Sequence, residues 1–190
     1  MRSISHRGRS ATPEQFCATN ESTRQVSQDT QSGNPASLSE LRVACVVDLD
    51  NVCSRRGLYA KRAWAYLDVV AFIAALRERG VRRGTVFQNQ KPGDCGSKLW
   101  AAAGLRCVGT GTNVDESVKL AAVNYALEGL NCLIVVASDG GYGEVIHAIR
   151  RCGIRVELWA LRAAVASHLV YAADAVRWID HFLREPDVAA

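Results

Sequence analysis

Isolated apolar residues scattered among Ser, Thr, Gln, Asn and Gly give way near residue 41 to short apolar runs that alternate with amphipathic stretches. Residues 1–40 show neither the strand nor the helix period of apolar positions, which predicts a disordered polar tail. Residues 41–184 predict one folded domain, and 185–190 a short C-terminal tail. The domain opens with a strand in "RVACVVDL", a helix from about Ala60 to Arg79 and a strand "GTVFQN". A short helix "CGSKLWAAAG", a strand "LRCVG" and a helix "DESVKLAAVNYALEG" follow. Next come a strand "CLIVVAS", a helix "YGEVIHAIRRCG", a strand "RVELWAL" and a last helix near "ASHLVYAAD". Gly80, Gly104, Gly129 and Gly153 each stand where a helix should stop.

Strand and helix alternating this regularly imply right-handed crossovers and a parallel sheet covered on both faces. The unbroken apolar runs "VACVV" and "CLIVVA" suit strands buried on both sides. The expected fold class is α/β, a three-layer α/β/α arrangement of Rossmann-like type around a mainly parallel sheet of five strands or slightly more. Ligands in such sheets gather beyond the carboxyl ends of the strands, where the strand order reverses. Asp48 ends the first strand and Asp139 the fourth, so a 3-2-1-4-5 order would bring both carboxylates to one crevice.

With 190 residues, 48% hydrophobic and 22% charged, the composition is ordinary for a globular chain with one sizeable core. The net charge of +4 suits a polyanionic partner but is too mild to argue for one. The 7 cysteines, Cys17, Cys45, Cys53, Cys95, Cys107, Cys132 and Cys152, form no CxxC pair and no Cys/His cluster. Neither a zinc site nor a disulfide framework is expected, and Cys45 and Cys132 fall in apolar runs where a reduced cysteine acts as a small core residue. That usage points to a reducing, cytoplasmic setting. No apolar segment has membrane-spanning length, and "MRSISHRGRS" lacks the apolar core of a secretory signal. Its Arg- and Ser-rich start also suits an organelle transit peptide. A soluble protein with no membrane partner is expected, with monomer and homodimer both open.

Three acidic clusters carry the candidate chemistry. In "VVDLDNV", Asp48 and Asp50 fall on one side if extended geometry persists, and the loop brings Asn51 inward. Two acids and an amide are hard oxygen donors of the kind Mg²⁺ or Mn²⁺ takes, although the same residues also make a polar loop capping a helix. In "GTNVDESVKLA", Asp115 and Glu116 open a helix, where acids commonly balance the helix dipole. Asp139 ends an apolar strand, and the glycines after it permit close approach by a ligand. Clustered carboxylates repel, so together they hold a divalent cation or raise a pKa. A bound Mg²⁺ lowers the pKa of water and stabilises charge on an attacked phosphodiester.

Arg55, Arg56, Lys61, Lys91, Lys98 and Lys119 are candidate phosphate contacts, although each taken individually is better read as solvated surface charge. Trp64 and Trp100 sit in helical stretches where core packing is expected, and His147 reads as a rim histidine. Ser138 and His168 suggest no hydrolase triad, because the G-x-S-x-G elbow is missing from the sequence.

From about Val43 to Phe182 the chain resembles the NYN domain, a branch of the PIN-like nucleases. The likeness rests on "DLDN" ending the first strand, on "NVDESVKLAAVNYAL" in place of the family's Val-Asp helix start, and on "VVASDGGYGEVIHAIRRCGIRVELWAL". The last resembles the family's strand, Ser-Gly-Asp-x-Asp-Phe turn and helix. "SHLVYAADAVRWID" is similar to the closing segment, with Asp174 at its acidic position. The resemblance implies a PIN-like fold and Mg²⁺- or Mn²⁺-dependent cleavage of RNA by an activated water. By position, Asp48, Asn51, Asp115 and Asp139 would line the metal site, with Asp50 adding charge. The turn departs from the family at Gly141, where an acid is usual, and at Tyr142, where Phe is usual; Glu144 is the nearest substitute carboxylate.

Two alternatives fit the same residues. "VVDLDNV" also resembles the opening motif of haloacid-dehalogenase-type phosphatases, in which Asp48 would be the nucleophile and Asp50 the acid/base. That reading leaves Asp115 without a role. A weakened nuclease domain that binds RNA or protein is the other, and Gly141 is the feature that favours it.

Overall fold

The computed structural model describes residues 42–53, 66–89, 97–111 and 113–184, so the tails expected at 1–40 and 185–190 lie outside them. The first strand, β1 (Val43–Asp48), is buried at every position. A strand with no solvated face needs sheet neighbours on both edges and helices on both sides. It finds β3 (Val81–Gln88) on one edge and β5 (Cys132–Val136) on the other, both parallel to it. Beyond β3 lies β4 (Leu105–Gly109), and beyond β5 lie β6 (Arg155–Ala160) and β7 (Ala175–Trp178). The order β4-β3-β1-β5-β6-β7 is the anticipated 3-2-1-4-5 arrangement with one further strand, and the reversal falls at β1.

Alternation along β1 divides the core. Val43, Cys45 and Val47 face one layer, whereas Ala44 and Val46 face the other. The short helix α1 (Leu49–Cys53) joins the first layer with Leu49 and Val52, beside α2 (Val69–Glu78) and α3 (Ser97–Ala102). There the Phe72 ring meets Trp100, Trp159 and Phe182 edge-on, with centroids 6.1, 5.7 and 5.4 Å away. The second layer holds α4 (Val114–Leu127), α5 (Gly143–Arg151) and α6 (Ser167–Ala172), packed through Val118, Ala122, Ile146 and Leu169. Trp100 is therefore core, as expected.

Two elements differ from the sequence reading. The helix anticipated from Ala60 begins at Val69, because Tyr66–Leu67 (β2) pairs antiparallel with Leu183–Arg184 (β8) and Asp68 then caps the helix by accepting the Ala71 N–H at 3.1 Å. Residues 60–65 lie outside the described residues. The strand β7 was not anticipated: it is an edge strand of four half-buried residues, AVRW, with no apolar run to mark it. Gly80, Gly104, Gly129 and Gly153 all take left-handed backbone, with φ of 94, 73, 74 and 77°, at the helix ends read from the sequence.

The amino end of the sheet is tied by charge. Glu157 lies 2.5 Å from Arg79 and 3.1 Å from Arg155. Although burial opposes it, Arg79 and then Arg155 hold the Glu157 carboxyl below its usual range. Cys45 and Cys132 are buried and free, with burial pushing their thiols up to about 12 and about 11. Both stay protonated as small core residues. Among the described residues no helix is long and apolar enough to cross a membrane.

Candidate functional site

At the carboxyl end of β1, alternation places Asp48 on the same face as Ala44 and Val46, toward α4 and α5. Its side chain is fully buried at 0% exposure. Oδ1 accepts the Asn51 backbone N–H at 3.0 Å, and Oδ2 accepts the Asn51 side-chain amide. Asn51 thus turns inward as expected. It does so because the chain winds into α1 directly after Asp48, and that helix ends the extended geometry that would have put Asp50 beside Asp48. Asp50 instead accepts the Asn89 backbone N–H at 2.9 Å, tying α1 to the end of β3.

Asp115 reaches Asp48 through a residue outside the candidate set. Tyr142, itself at 0% exposure, donates its hydroxyl to Asp48 Oδ2 at 2.6 Å and lies 3.0 Å from Asp115 Oδ1. Asp115 is available for this contact because Asn113 takes the capping role on α4, accepting the Glu116 N–H at 3.4 Å. The signal for Tyr142 was in the sequence: a tyrosine where the resembled family has Phe brings a hydroxyl that needs a partner once buried.

One phenolic proton stands between two carboxylates, so it can satisfy only one at a time. Burial pushes the Asp48 carboxyl above its usual range, against the hydrogen bonds from Tyr142 and Asn51, and the Asp115 charge adds to the rise. Burial, with the charges of Asp48 and Asp115, also pushes the Tyr142 phenol above its ordinary value, so the hydroxyl keeps its proton.

Asp139 follows β5, and its Oδ1 accepts the Gly141 N–H at 2.8 Å, capping the 3₁₀ turn Gly140–Tyr142 from an exposed position. Lys119, on α4, bonds Glu116 at 3.0 Å. A Cβ added at Gly141 would stand 3.3 Å from Asp139 Oδ1 and 3.9 Å from Lys119 Nζ, so both side chains border this turn. His168, at the start of α6, holds the other side of the turn, with Nε2 2.8 Å from the Gly140 carbonyl. Nothing local in the sequence marks this His168 contact, which spans 28 positions.

Lys98 is exposed on α3 in the opposite layer from Lys119, so those two do not share a face. Arg55, Arg56, Lys61 and Lys91, as well as Trp64, lie outside the described residues. Glu144 and His147 are exposed on α5, and it is Tyr142 that reaches the acids. Asp174 does not join this end of the sheet. It precedes β7 at the amino ends, bonding Arg150 at 2.8 Å and the Val156 N–H at 2.8 Å.

The donor set fits a hard divalent cation in kind. Asp48 Oδ2 and Asp115 Oδ1 come from two elements and converge on one point. That point is filled by the Tyr142 hydroxyl, and among the described residues no three His, Cys, Asp or Glu side chains gather around one metal position. Asp48 and Asp115 are the groups that would hold Mg²⁺ or Mn²⁺, while Asn51 turns its amide N–H to Asp48 and fixes that carboxylate.

No family model matches the chain, and no curated protein does so either. Among solved structures, a Vibrio parahaemolyticus protein of unknown function is similar with a TM-score of 0.60. The two are 18% identical, and the match covers 81% of this chain and 99% of that one. The likeness shows a shared α/β fold.

Proposed function

We propose that this domain is a metal-dependent ribonuclease that hydrolyses RNA phosphodiester bonds. The observation that supports it is the convergence of Asp48 and Asp115 on a single point at the reversal of strand order, where α/β sheets of this kind bind ligands. A Mg²⁺ or Mn²⁺ ion held there would supply an activated water and offset charge developing on the phosphate. Asn51 fixes the Asp48 carboxylate through both its backbone and its side chain. Lys119 and Asp139 border the turn beside it, the lysine suited to a phosphate oxygen.

The phosphatase alternative receives less support. Its acid/base, Asp50, is bonded to the Asn89 N–H, and Asp115, which reaches Asp48 through Tyr142, has no role in it. A binding module without cleavage remains the second reading, favoured by the Tyr142 hydroxyl lying where a cation would go.

Cleavage of a labelled single-stranded RNA with Mn²⁺, Mg²⁺ or EDTA, comparing wild type with Asp48→Asn and Asp139→Asn, tests the proposal. Loss of cleavage with chelator and in both variants supports a nuclease. RNA intact under every condition moves the reading to a binding module.

A further inference from the structure

We propose that Tyr142 sets cation access to this site: its hydroxyl bridges Asp48 and Asp115, and a divalent cation enters only by displacing it. The inference rests on the reading of those two acids as the metal pair. The geometry that carries it is the 2.6 and 3.0 Å contacts from one phenolic oxygen to carboxylates on different elements. A cation bound by both oxygens would need the space that the phenol oxygen fills.

The hydroxyl cannot withdraw cheaply by a small rotation. Tyr142 is fully buried in the second core, and it is held from both flanks of its turn. On one flank Asp139 Oδ1 accepts the Gly141 N–H; on the other His168 contacts the Gly140 carbonyl. His168 also lies against the turn at Gly143, where a Cβ would come within 3.2 Å of its ring. Displacing the phenol therefore means moving the Gly140–Tyr142 turn, and with it Asp139. Asp139, exposed and directed at its own turn here, is the acid such a movement would reposition.

The test is Mn²⁺ binding to the full chain without RNA, read from the electron paramagnetic resonance signal of free Mn²⁺. Wild type is compared with Tyr142→Phe, which keeps the ring, and with Tyr142→Met as a second variant of similar bulk, each checked for native circular dichroism. At least tenfold tighter binding in a folded Tyr142 variant, lost again on adding Asp48→Asn, is the expected result. Equal or weaker binding in both folded variants would overturn the inference. RNA cleavage assayed on the same samples separates the two ideas. Tighter Mn²⁺ binding with intact RNA keeps the role of Tyr142 and removes the nuclease; cleavage with unchanged Mn²⁺ binding keeps the nuclease and removes the role of Tyr142.

Discussion

Tyr142 and Asp48 are 94 positions apart in sequence, yet the phenol oxygen sits 2.6 Å from Asp48 Oδ2 in a place closed to water. The bond opposes the cost of burying the Asp48 charge, and the sign of its pH dependence follows. Asp48 titrates above its unfolded value, so its favourable contribution to stability is complete at acid pH and lost as pH rises through the folded pKa. Tyr142→Phe removes one of the interactions that lower that pKa. The variant is expected to be less stable than wild type by about 1–3 kcal/mol at neutral pH, with the gap narrowing as the solution is made acidic. Urea unfolding at several pH values checks this; a gap that widens toward acid pH would contradict it.

The acids differ in what they touch, and activity should differ with them. Asp115 faces the Tyr142 hydroxyl, whereas Asp50 caps the end of β3 through Asn89. Under the nuclease reading, Asp115→Asn is expected to reduce Mn²⁺-dependent RNA cleavage by about 100-fold or more, of the order seen when a transition-state charge partner is lost. Asp50→Asn should stay within a few-fold of wild type. Comparable losses in the two variants would show that Asp50 belongs to the site after all.

How far the sequence reveals this arrangement depends on the range of each signal. The apolar runs around β1 and β5 and the glycines ending helices are local, and they suffice for the parallel sheet and for the reversal at β1. β7 escapes because an edge strand with half-buried residues has no apolar pattern. Asp48 and Asp115 are legible as acids at a strand end and a helix start, but whether Asp115 capped its own helix depended on Asn113, which took that role. Tyr142 and His168 reach the site only through tertiary contacts, and Asp50 leaves it because α1 begins at Leu49, directly after Asp48.

Glu157 offers a stability test remote from the candidate site. Its carboxyl is held below the usual range by Arg79 and Arg155, so its contribution is present above the unfolded pKa and lost as pH falls through the folded one. Arg79 retains 30% side-chain exposure and Glu157 only 9%, placing the pair between surface and buried ion pairs. Glu157→Gln is expected to cost about 2 kcal/mol at neutral pH. The difference should shrink once the pH drops below about 4. Chemical denaturation at neutral and acid pH would show it, and an equal cost at both would remove the ion pair as its origin.

The turn bearing Asp139 and Tyr142 has glycine where His168 lies against it. A Cβ at Gly140 would fall 2.5 Å from His168 Cε1 and 2.9 Å from Nε2, closer than packed atoms tolerate, and the ring rather than the backbone is the part able to move. Gly140→Ala should therefore expel the His168 ring, break its contact with the Gly140 carbonyl and cost about 1–3 kcal/mol, as overpacking commonly does. His168→Ala alone should cost less, since it removes one exposed hydrogen bond. In the double variant the clash has no second party, so the two costs should fall short of their sum by at least about 1 kcal/mol. A thermodynamic cycle of the four proteins measures that coupling. Additive costs would mean that the alanine is accommodated by shifting the turn itself, and in that case Gly140→Ala should also disturb the Tyr142 contacts with Asp48 and Asp115 while leaving His168 in place.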